Sequence, residues 1–153
     1  MFIDDIDKIM AVMNAAFDPV YGEAWNRRQV EDSLRFNHTH YSLVDRNGAF
    51  PEQNEPAAGF WLSRTGFGEE ELLLLAVSPD HRKNGLGHIL LKSFASGAKS
   101  RGAERILLEM RRGNPAESLY RSFGFLPIGE RKDYYRTTSG LRLDAITFAS
   151  ELN

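Results

Sequence analysis

Two closely spaced glycines, Gly85 and Gly87, lie between an apolar run and an amphipathic segment of the chain. Residues 72–77 predict a buried strand, residues 78–80 interrupt it, and the residues from His88 onward repeat apolar side chains at helical spacing. A strand that turns through glycines into a helix brings together unpaired backbone N–H groups and the positive end of the helix dipole. This turn therefore predicts a phosphate-binding site, which limits the ligands that such a chain can handle.

Composition excludes several other classes of function. The chain has 153 residues, 42% of them hydrophobic and 26% charged, which is typical of one compact soluble domain. A net charge of −2 gives no support for direct nucleic-acid binding. The absence of cysteine excludes disulfides, thiolate metal sites and a cysteine nucleophile, and no third ligand cluster accompanies His38 and His40, so we expect no metal. Without a membrane-length apolar run or a signal-peptide pattern, we expect a cytoplasmic protein that does not enter membranes.

Hydrophobic periodicity and capping residues predict the order of the elements. Helices are expected at about residues 5–17, 26–34, 86–101 and 114–123, with Asp4 or Asp5 capping the first, Asn26 the second, and Gly102 ending the third. Strands are expected at about residues 40–46, 57–64, 70–77, 105–110, 129–137 and 141–149. This order predicts a single α+β domain over residues 1–153, built on one mixed sheet that begins with a three-strand meander.

The spelling of the glycine turn separates it from two established phosphate loops. No G-x-x-x-x-G-K-[ST] string occurs, and Leu90 stands where the dinucleotide fingerprint requires its third glycine. What remains is R-x-x-G-x-G at residues 82–87, which resembles the coenzyme A loop of the GCN5-related N-acetyltransferase (GNAT) superfamily. The string LLEMRRGN at residues 107–114, followed by LY at 119–120 and FGF at 123–125, resembles the rest of the core sequence of that superfamily. The resemblance covers about residues 70–148.

Membership of this superfamily implies a particular fold and co-substrate. The central mixed sheet would splay between two strands, helices would flank it, and the chain would end in an antiparallel hairpin. Acetyl-CoA would be the co-substrate, with its pyrophosphate on backbone amides of the loop and its pantetheine arm beside the preceding strand. The positions that the resemblance assigns to coenzyme binding are Leu75, Ala76, Val77, Arg82, Lys83, Asn84, Gly85, Leu86, Gly87, His88 and Asn114.

Direct acetyl transfer to an amine needs a deprotonated nucleophile and a proton donor for the departing thiolate. By resemblance, Glu109 near the end of its strand is the general base and Tyr120 in the next helix is the general acid. The run Glu69, Glu70 and Glu71 is a rival source of the base, because other GNAT enzymes place the base on the preceding strand. Glu69 and Glu71 are also candidates for binding the substrate ammonium group. We favour Glu109 as the base.

The last hairpin suggests the acceptor. Residues 131–140, together with Asp144-Ala145, resemble the bacterial ribosomal-protein-alanine N-acetyltransferases (RimI type), which acetylate the N-terminal α-amino group of a ribosomal protein. Tyr134 and Tyr135 would form one wall of the peptide groove and Trp25 the other. An α-amine has a pKa near ~8 against ~10.4 for lysine, and that gap corresponds to roughly 3 kcal/mol of deprotonation. A carboxylate acting through water would therefore suffice for an N-terminus.

Three departures from the RimI pattern lie on the acceptor side. Arg136 replaces the usual proline after the two tyrosines, residues 17–24 form a longer segment than expected, and the first helix starts so early that the usual first strand is missing or very short. The alternatives are therefore a GNAT enzyme acting on lysine or a small amine, such as an amino acid or an antibiotic, and a non-catalytic acyl-CoA-binding module. The combination of Glu109 and Tyr120 disfavours the last.

Overall fold

A computed structural model describes residues 4–152 of the chain. Two helices precede the sheet, and two more alternate with its later strands. The helices are α1 (Asp5–Ala16), α2 (Arg27–Leu34), α3 (Leu86–Ser100) and α4 (Glu117–Phe123), and the strands are β1 (Thr39–Val44), β2 (Gly59–Gly66), β3 (Glu69–Val77), β4 (Arg105–Arg111), β5 (Leu126–Arg136) and β6 (Arg142–Glu151). Short 3-10 helices occupy Pro19–Tyr21 and Pro79–His81.

Several helix ends follow the capping residues that the sequence predicts. The Asp4 carboxylate accepts a hydrogen bond from the Asp7 backbone N–H at 2.8 Å and begins α1. Asn26 begins α2 in a capping box, in which its side chain and that of Gln29 bond to each other's backbone N–H. Gly102 follows α3 with φ of +92°, a conformation that favours glycine and stops the helix.

The six strands form one mixed sheet in the order β1-β2-β3-β4-β6-β5. Only β3 and β4 run parallel, and α3 makes the crossover between them. The other neighbours are antiparallel, including the predicted meander β1-β2-β3 and the predicted C-terminal hairpin β5-β6. The α+β prediction with a mixed sheet is therefore confirmed.

Alternate side chains of the strands pack on opposite faces of the sheet, and each face has its own apolar core. Helices α3 and α4 cover one face, where the buried residues include Trp61, Leu90, Phe94, Ile106 and Phe148. Helices α1 and α2 cover the other face, where they include Ile9, Met13, Val30, Phe60 and Leu62. The sheet is thus buried on both sides over much of its area, which fits the apolar strand sequences.

A β-bulge in β3 changes which face its side chains meet. Leu62 of β2 pairs with Leu74, but the next residue, Ser63, pairs with Leu72, so Leu73 is an extra residue. Because side chains alternate along a strand, one extra residue reverses the alternation. Leu72 accordingly packs in the core under α3, whereas Leu74 packs in the core under α1 and α2.

The parallel pairing of β3 and β4 stops at the same bulge. The last paired residues are Leu72 and Leu108, although β3 continues to Val77 and β4 to Arg111. The backbone edge of β3 beyond Leu72 therefore has no strand partner on the β4 side. This confirms the splayed sheet, and the gap between the two strand ends is called the splay below.

The structure corrects several predicted boundaries. Helix α4 begins at Glu117, not at Asn114, and β5 begins at Leu126, not at residue 129, so Pro127 is part of the strand. Proline is tolerated there because β5 is the edge strand. β1 ends at Val44, because Asp45 turns the chain by accepting from the Asn47 N–H at 2.8 Å. The prediction about a missing first strand concerns residues 1–3, which lie outside the described residues.

Candidate active site

The glycine turn has the backbone shape of an anion-binding loop. Lys83 and Gly85 both adopt positive φ, +65° and +79°, and α3 starts immediately afterwards. No side chain caps this helix, and the first helical hydrogen bond runs from the Ile89 N–H to the Gly85 carbonyl at 3.1 Å. The amides of Leu86, Gly87 and His88 therefore lack helical partners and are available to a phosphate.

The two glycines do different work in this loop. A Cβ added at Gly85 would meet no atom within 4 Å, so this position faces open space on the side from which a ligand would approach. A Cβ added at Gly87 would lie 2.9 Å from the Leu119 Cδ2 atom. A larger residue at position 87 would push against the Leu119 side chain, because α3 and α4 pack closely there. Gly85 is the glycine that leaves room for a ligand.

Two side chains that the sequence assigns to coenzyme binding make protein contacts. Arg82 donates to the Val77 carbonyl at 3.2 Å and to the Ala16 carbonyl at 3.0 Å, and it thereby ties the loop to the ends of β3 and α1. The His88 ring packs edge-on against Phe123 at 5.8 Å between centroids. These side chains support the shape of the loop, while its backbone presents the donors. Lys83 and Asn84 are exposed, with Leu86 buried beneath them.

The end of β3 provides the edge that a pantetheine arm requires. Residues 75–77 lie beyond the last β3–β4 pair, and β2 covers their other edge, since Leu75, Ala76 and Val77 pair with residues 59–61. Val77 leads into the 3-10 helix and the loop. The free strand edge and the loop amides thus form one continuous polar track.

Asn114 lies in a turn before α4, at the far side of the splay. Its Oδ1 atom accepts a hydrogen bond from the Ala116 N–H at 2.9 Å, and the Glu117 N–H bonds to its carbonyl at 3.1 Å. The amide nitrogen makes no hydrogen bond within residues 4–152. Asn114 therefore shapes the turn with one side-chain atom and leaves its donor group free.

Tyr120, the predicted general acid, is almost buried in α4, with 7% exposure, and its ring contacts Phe125 edge-on at 6.0 Å. Its hydroxyl has no hydrogen-bond partner within the described residues, which contain no fully enclosed side-chain polar atom without a partner. The hydroxyl oxygen therefore reaches open space. Burial, and after it the negative charge of Glu23, raises the pKa of Tyr120 to about 12. The hydroxyl is protonated near neutral pH.

Glu109, the predicted base, lies at the opening of the splay, one residue beyond the last β3–β4 pair. It alternates with buried Leu108 and Met110, so its side chain points away from the α3 core. The Thr147 hydroxyl donates to Glu109 Oε2 at 3.3 Å, and the Arg131 Nε lies 3.4 Å from the same oxygen. The carboxylate is thus held from β5 and β6 and remains 20% exposed.

The structure does not bring Glu69 and Glu71 to this position. Glu69 accepts a hydrogen bond from the Arg105 Nε at 2.8 Å, and Glu71 accepts one from Arg64 at 3.1 Å. Glu69 pairs with Arg105 at the closed end of the two strands. Glu109 is four residues further along β4, a distance of roughly 13 Å. Both carboxylates are engaged in ion pairs on the part of β3 that is still paired with β4.

Glu70 has a structural environment as well. Its side chain has no exposed surface, and it accepts hydrogen bonds from the Ser63 hydroxyl at 2.6 Å and from the Arg101 guanidinium at 2.8 and 2.5 Å. Its contact with Arg101 joins the end of α3 to the sheet, and its contact with Ser63 links β3 to β2. A buried carboxylate with a bidentate arginine needs no further partner.

The hairpin β5-β6 presents the two predicted tyrosines beside Glu109. Their rings meet edge-on at 5.2 Å, with Tyr134 51% exposed and Tyr135 partly buried. Burial, followed by the charges of Glu109 and Glu23, raises the pKa of Tyr135 to about 12. Tyr135 therefore lies near both carboxylates, whereas Tyr134 faces outward.

Trp25, the residue expected on the opposite wall of the peptide groove, packs partly buried on the core under α1 and α2.

A second irregularity in the sheet positions Tyr134. Residues 132–134 of β5 oppose the single residue Asp144 of β6, and Asp133 adopts φ of +52°. The Asp144 carboxylate accepts a hydrogen bond from the Asp133 N–H at 3.0 Å, and this bond is the main cause that lowers the pKa of Asp144. The Asp144 carboxylate thus stabilises the bulge, and Tyr134 points outward from it.

Two residues near the candidate site are not among the sequence predictions. Glu23, in the long segment after α1, forms an ion pair with Arg111 at the end of β4, with 3.3 Å between Glu23 Oε1 and Arg111 Nε. The Arg111 guanidinium lies over the Tyr21 ring at 3.6 Å. The unusual length of residues 17–24 was the only signal in the sequence. The partner of Glu23 is 88 residues away, so no local pattern indicates the pair.

Within residues 4–152, no group of three or more His, Cys, Asp or Glu side chains is placed to hold a metal ion. Over the same range, no helix has the length and apolar character that crossing a bilayer requires.

Known proteins share this arrangement. The sequence model of the acetyltransferase (GNAT) family matches residues 6–125. The ribosomal protein bS18-alanine N-acetyltransferase of Escherichia coli strain K12 is 39% identical over 98 residues, which are 63% of this chain and 66% of that protein. The aligned part thus spans just under two thirds of this relative.

Two solved structures extend the likeness to the whole fold. The ribosomal-protein-S18-alanine N-acetyltransferase from Escherichia coli has a TM-score of 0.78 at 27% identity and covers 100% of this chain and 92% of its own. Arabidopsis thaliana NAA60, in complex with acetyl-CoA, has a TM-score of 0.78 at 17% identity and covers 97% of this chain and 94% of its own. At that identity the second likeness shows the fold alone. With a family match over most of its length, a splayed sheet and a coenzyme loop, the chain belongs to the acetyltransferase (GNAT) family and is an acetyl-CoA-dependent N-acetyltransferase.

Proposed function

We propose that this enzyme transfers the acetyl group of acetyl-CoA to the α-amino group at the N-terminus of a protein, with ribosomal protein bS18 as the first substrate to test. The observation that carries the proposal is the position of Glu109 at the opening of the splay, where Arg131 of the hairpin that bears Tyr135 contacts it. The names of the Escherichia coli relatives support the choice of acceptor. We also propose that the enzyme acts in the cytoplasm, where ribosomal proteins are made.

In the proposed mechanism the loop amides at residues 83–88 hold the pyrophosphate, and the free edge of residues 75–77 aligns the pantetheine arm. The Asn114 amide nitrogen is the remaining free donor beside that arm. Each of these groups acts through hydrogen bonds that the protein has preorganised, so the thioester arrives at the splay in a defined orientation. Glu109 would then act on the acceptor amine and Tyr120 on the departing sulfur.

Proton movement follows from the pKa values of the groups. An α-ammonium has a pKa near ~8, so Glu109, acting through a water molecule, needs to remove a proton that is already weakly held. Tyr120 has a pKa of about 12 and donates its proton to the departing sulfur. The coenzyme A thiolate, whose conjugate thiol has a pKa near ~8.5, is a weaker base than the Tyr120 phenolate, so Tyr120 regains a proton in concert from the nitrogen that has attacked the thioester. Of the two protons that the α-ammonium loses, one leaves through Glu109 and water to solvent and the other ends on the sulfur.

The site also favours an α-amine over a lysine side chain. A lysine would have to lose a proton with a pKa near ~10.4, which costs roughly 3 kcal/mol more at neutral pH. The Glu109 carboxylate accepts a hydrogen bond from Thr147 and contacts Arg131 through the same Oε2 atom. The outward-facing Tyr134 gives the extended part of a peptide a surface to contact.

The proposal is tested by thiol release from acetyl-CoA with an eight-residue peptide carrying the N-terminus of bS18. Matched acceptors are the same peptide with a blocked α-amine, free amino acids, a polyamine and an aminoglycoside. We expect turnover with the free peptide and at least 10-fold lower kcat/KM for every other acceptor. Turnover with the free amines but with no N-terminal peptide would contradict the peptide assignment and favour a small-molecule acetyltransferase.

A further inference from the structure

The ion pair of Glu23 and Arg111 is mostly buried next to the catalytic residues. The two side chains are 17% and 12% exposed, and a single hydrogen bond of 3.3 Å joins them. Arg111 is two residues beyond Glu109 on the same face of β4, since side chains alternate along a strand. The pair therefore lies on the acceptor side of the splay.

Most of the hydrogen-bonding capacity of this pair is unused. Glu23 Oε2 and the two terminal nitrogens of Arg111 make no hydrogen bond within residues 4–152. Because no fully enclosed polar side-chain atom in that range lacks a partner, these atoms reach open space. One carboxylate oxygen can accept, and two guanidinium nitrogens can donate, to a molecule that enters there.

The pair is fixed in position by its surroundings. The Tyr21 ring lies under the Arg111 guanidinium at 3.6 Å, and Tyr21 ends the 3-10 helix Pro19–Tyr21. The Thr138 N–H at the tip of the hairpin donates to the Val20 carbonyl at 2.9 Å. The long segment after α1 is therefore joined to the tip of the final hairpin. After burial, the negative charge of Glu23 contributes to the raised pKa of both Tyr120 and Tyr135, so its carboxylate lies near both rings.

A peptide N-terminus offers the complementary groups. Its α-ammonium donates hydrogen bonds, and its first carbonyl oxygen, separated from the nitrogen only by Cα and the carbonyl carbon, accepts them. A lysine ε-amine or a polyamine has no carbonyl at that spacing. An acceptor and a donor held side by side therefore recognise an α-amine by its adjacent carbonyl.

We propose that Glu23 and Arg111 form the specificity element of this enzyme, in which Glu23 Oε2 receives the acceptor's α-amino group and Arg111 donates to the first carbonyl of the acceptor. This inference rests on the proposed function, because it presumes a peptide acceptor. It assigns a role to the segment after α1, whose length departs from the RimI pattern. Glu109 and Tyr120 keep their roles in proton transfer.

The test uses two acceptor probes of the same length and shape. One is the free bS18 N-terminal peptide, and the other is its analogue in which an E-alkene replaces the first peptide bond and thus removes the carbonyl oxygen. The wild-type enzyme should prefer the natural peptide by about 10-fold or more in kcat/KM, as expected for one hydrogen bond to a charged group. In Arg111→Met the preference should fall below 2-fold.

Glu23→Gln should raise KM for the peptide about 10-fold while KM for acetyl-CoA changes less than 2-fold. Glu151→Gln is the matched control, because Glu151 is an exposed carboxylate that pairs in register with Arg105, six residues and roughly 20 Å along β4 from Arg111. Its kinetic constants should remain those of the wild type. Arg111→Lys keeps the positive charge but loses the planar set of guanidinium donors. It should recover only part of the preference for the natural peptide over the alkene analogue.

The possible outcomes distinguish a failure of the Glu23–Arg111 specificity element from a failure of the proposed peptide acetylation. If the wild type acetylates no N-terminal peptide, both fail together. If it acetylates the peptide but Arg111→Met still distinguishes the two probes by 10-fold, the specificity element is elsewhere. A merely structural pair would also overturn the inference, because its variants would weaken acetyl-CoA binding and slow both probes equally, with a lower melting temperature.

Discussion

The acetyl-CoA side and the acceptor side of this enzyme differ in the groups that form them, backbone on one side and side chains on the other. The proposed donor side consists of backbone groups in one stretch, from the free edge of β3 through the loop to the first turn of α3. The proposed acceptor side consists of side chains from four distant places: Glu23 after α1, Glu109 and Arg111 on β4, Tyr120 on α4 and Tyr135 on β5. A backbone site tolerates most side-chain changes, whereas a side-chain site can change its ligand through single substitutions.

This difference predicts where mutations act. On the donor side only residues that set backbone shape, above all Gly85, should affect coenzyme binding strongly. On the acceptor side each side chain should have its own kinetic effect and leave the coenzyme nearly untouched.

The largest effect is expected at Gly85. Gly85→Leu places a side chain in the open space over the loop and forces a non-glycine residue to φ of +79°, so acetyl-CoA binding should become undetectable by calorimetry. Gly102→Leu is the matched control, because Gly102 has φ of +92° and also faces open space but ends α3 far from the loop. Both variants should lose about 1–2 kcal/mol of stability. If the two variants bound acetyl-CoA with equal affinity, the effect of Gly85→Leu would come from backbone strain and not from a blocked coenzyme site.

The next largest effect is expected at Tyr120. Tyr120→Phe should lower kcat about 10²- to 10³-fold, with acetyl-CoA affinity changed less than 2-fold, because only the proton donor is lost. Since its pKa is raised to about 12, wild-type kcat/KM should rise with pH as the amine deprotonates near ~8 and should not fall again below pH 10. Tyr41→Phe, which removes a hydroxyl bonded to Asp5 at 2.6 Å, should cost stability without changing kcat. A Tyr120→Phe enzyme with wild-type kcat would remove Tyr120 from the mechanism.

A smaller effect is expected at Glu109. Glu109→Gln should lower kcat/KM about 10- to 100-fold at pH 7, and the loss should shrink toward pH 9, where more of the amine is already deprotonated. Glu71→Gln tests the rival position in the same assay and should stay within 2-fold of the wild type, because Glu71 is engaged with Arg64. The reverse order of the two variants would transfer the role of base to the preceding strand.

The smallest effect is expected at Tyr134. Tyr134→Ala should raise KM for the peptide only about 3-fold, because the ring is half exposed and meets the acceptor beyond its first residues. Phe36→Ala removes a similarly exposed ring elsewhere, 58% against 51%, and should leave KM unchanged. A loss of more than 30-fold at Tyr134 would mean that the hairpin, more than the α-amine, determines recognition.

The sequence predicted the donor side well because its signals are local. A strand, two glycines and a helix lie within residues 72–100, and the structure has them there. The splay also follows from the family resemblance, but the bulge at Leu73 that reverses the faces of β3 could not be predicted. An unbroken apolar run has no alternation from which a one-residue shift could be detected.

The acceptor side was predicted less completely because its contacts are non-local. Tyr134 and Tyr135 could be identified as a hairpin pair, yet the bulge opposite Asp144 decides which of them faces outward. Glu69, Glu70 and Glu71 were rivals to the favoured Glu109 as the base, and only the structure shows that arginines engage all three on the paired part of β3. The last helix was expected to begin at Asn114, but the hydrogen bond that Asn114 accepts from the Ala116 N–H forms a turn, and α4 begins at Glu117.

The most direct test is the site of acetylation on a peptide that carries both a free α-amine and an internal lysine. The bS18 N-terminal sequence extended by one lysine would be incubated with acetyl-CoA and the enzyme, and fragment masses would assign the acetyl group. The account predicts acetylation of the N-terminal nitrogen with a preference of at least 50-fold over the lysine at pH 7. Acetyl groups found mainly on the lysine would contradict it.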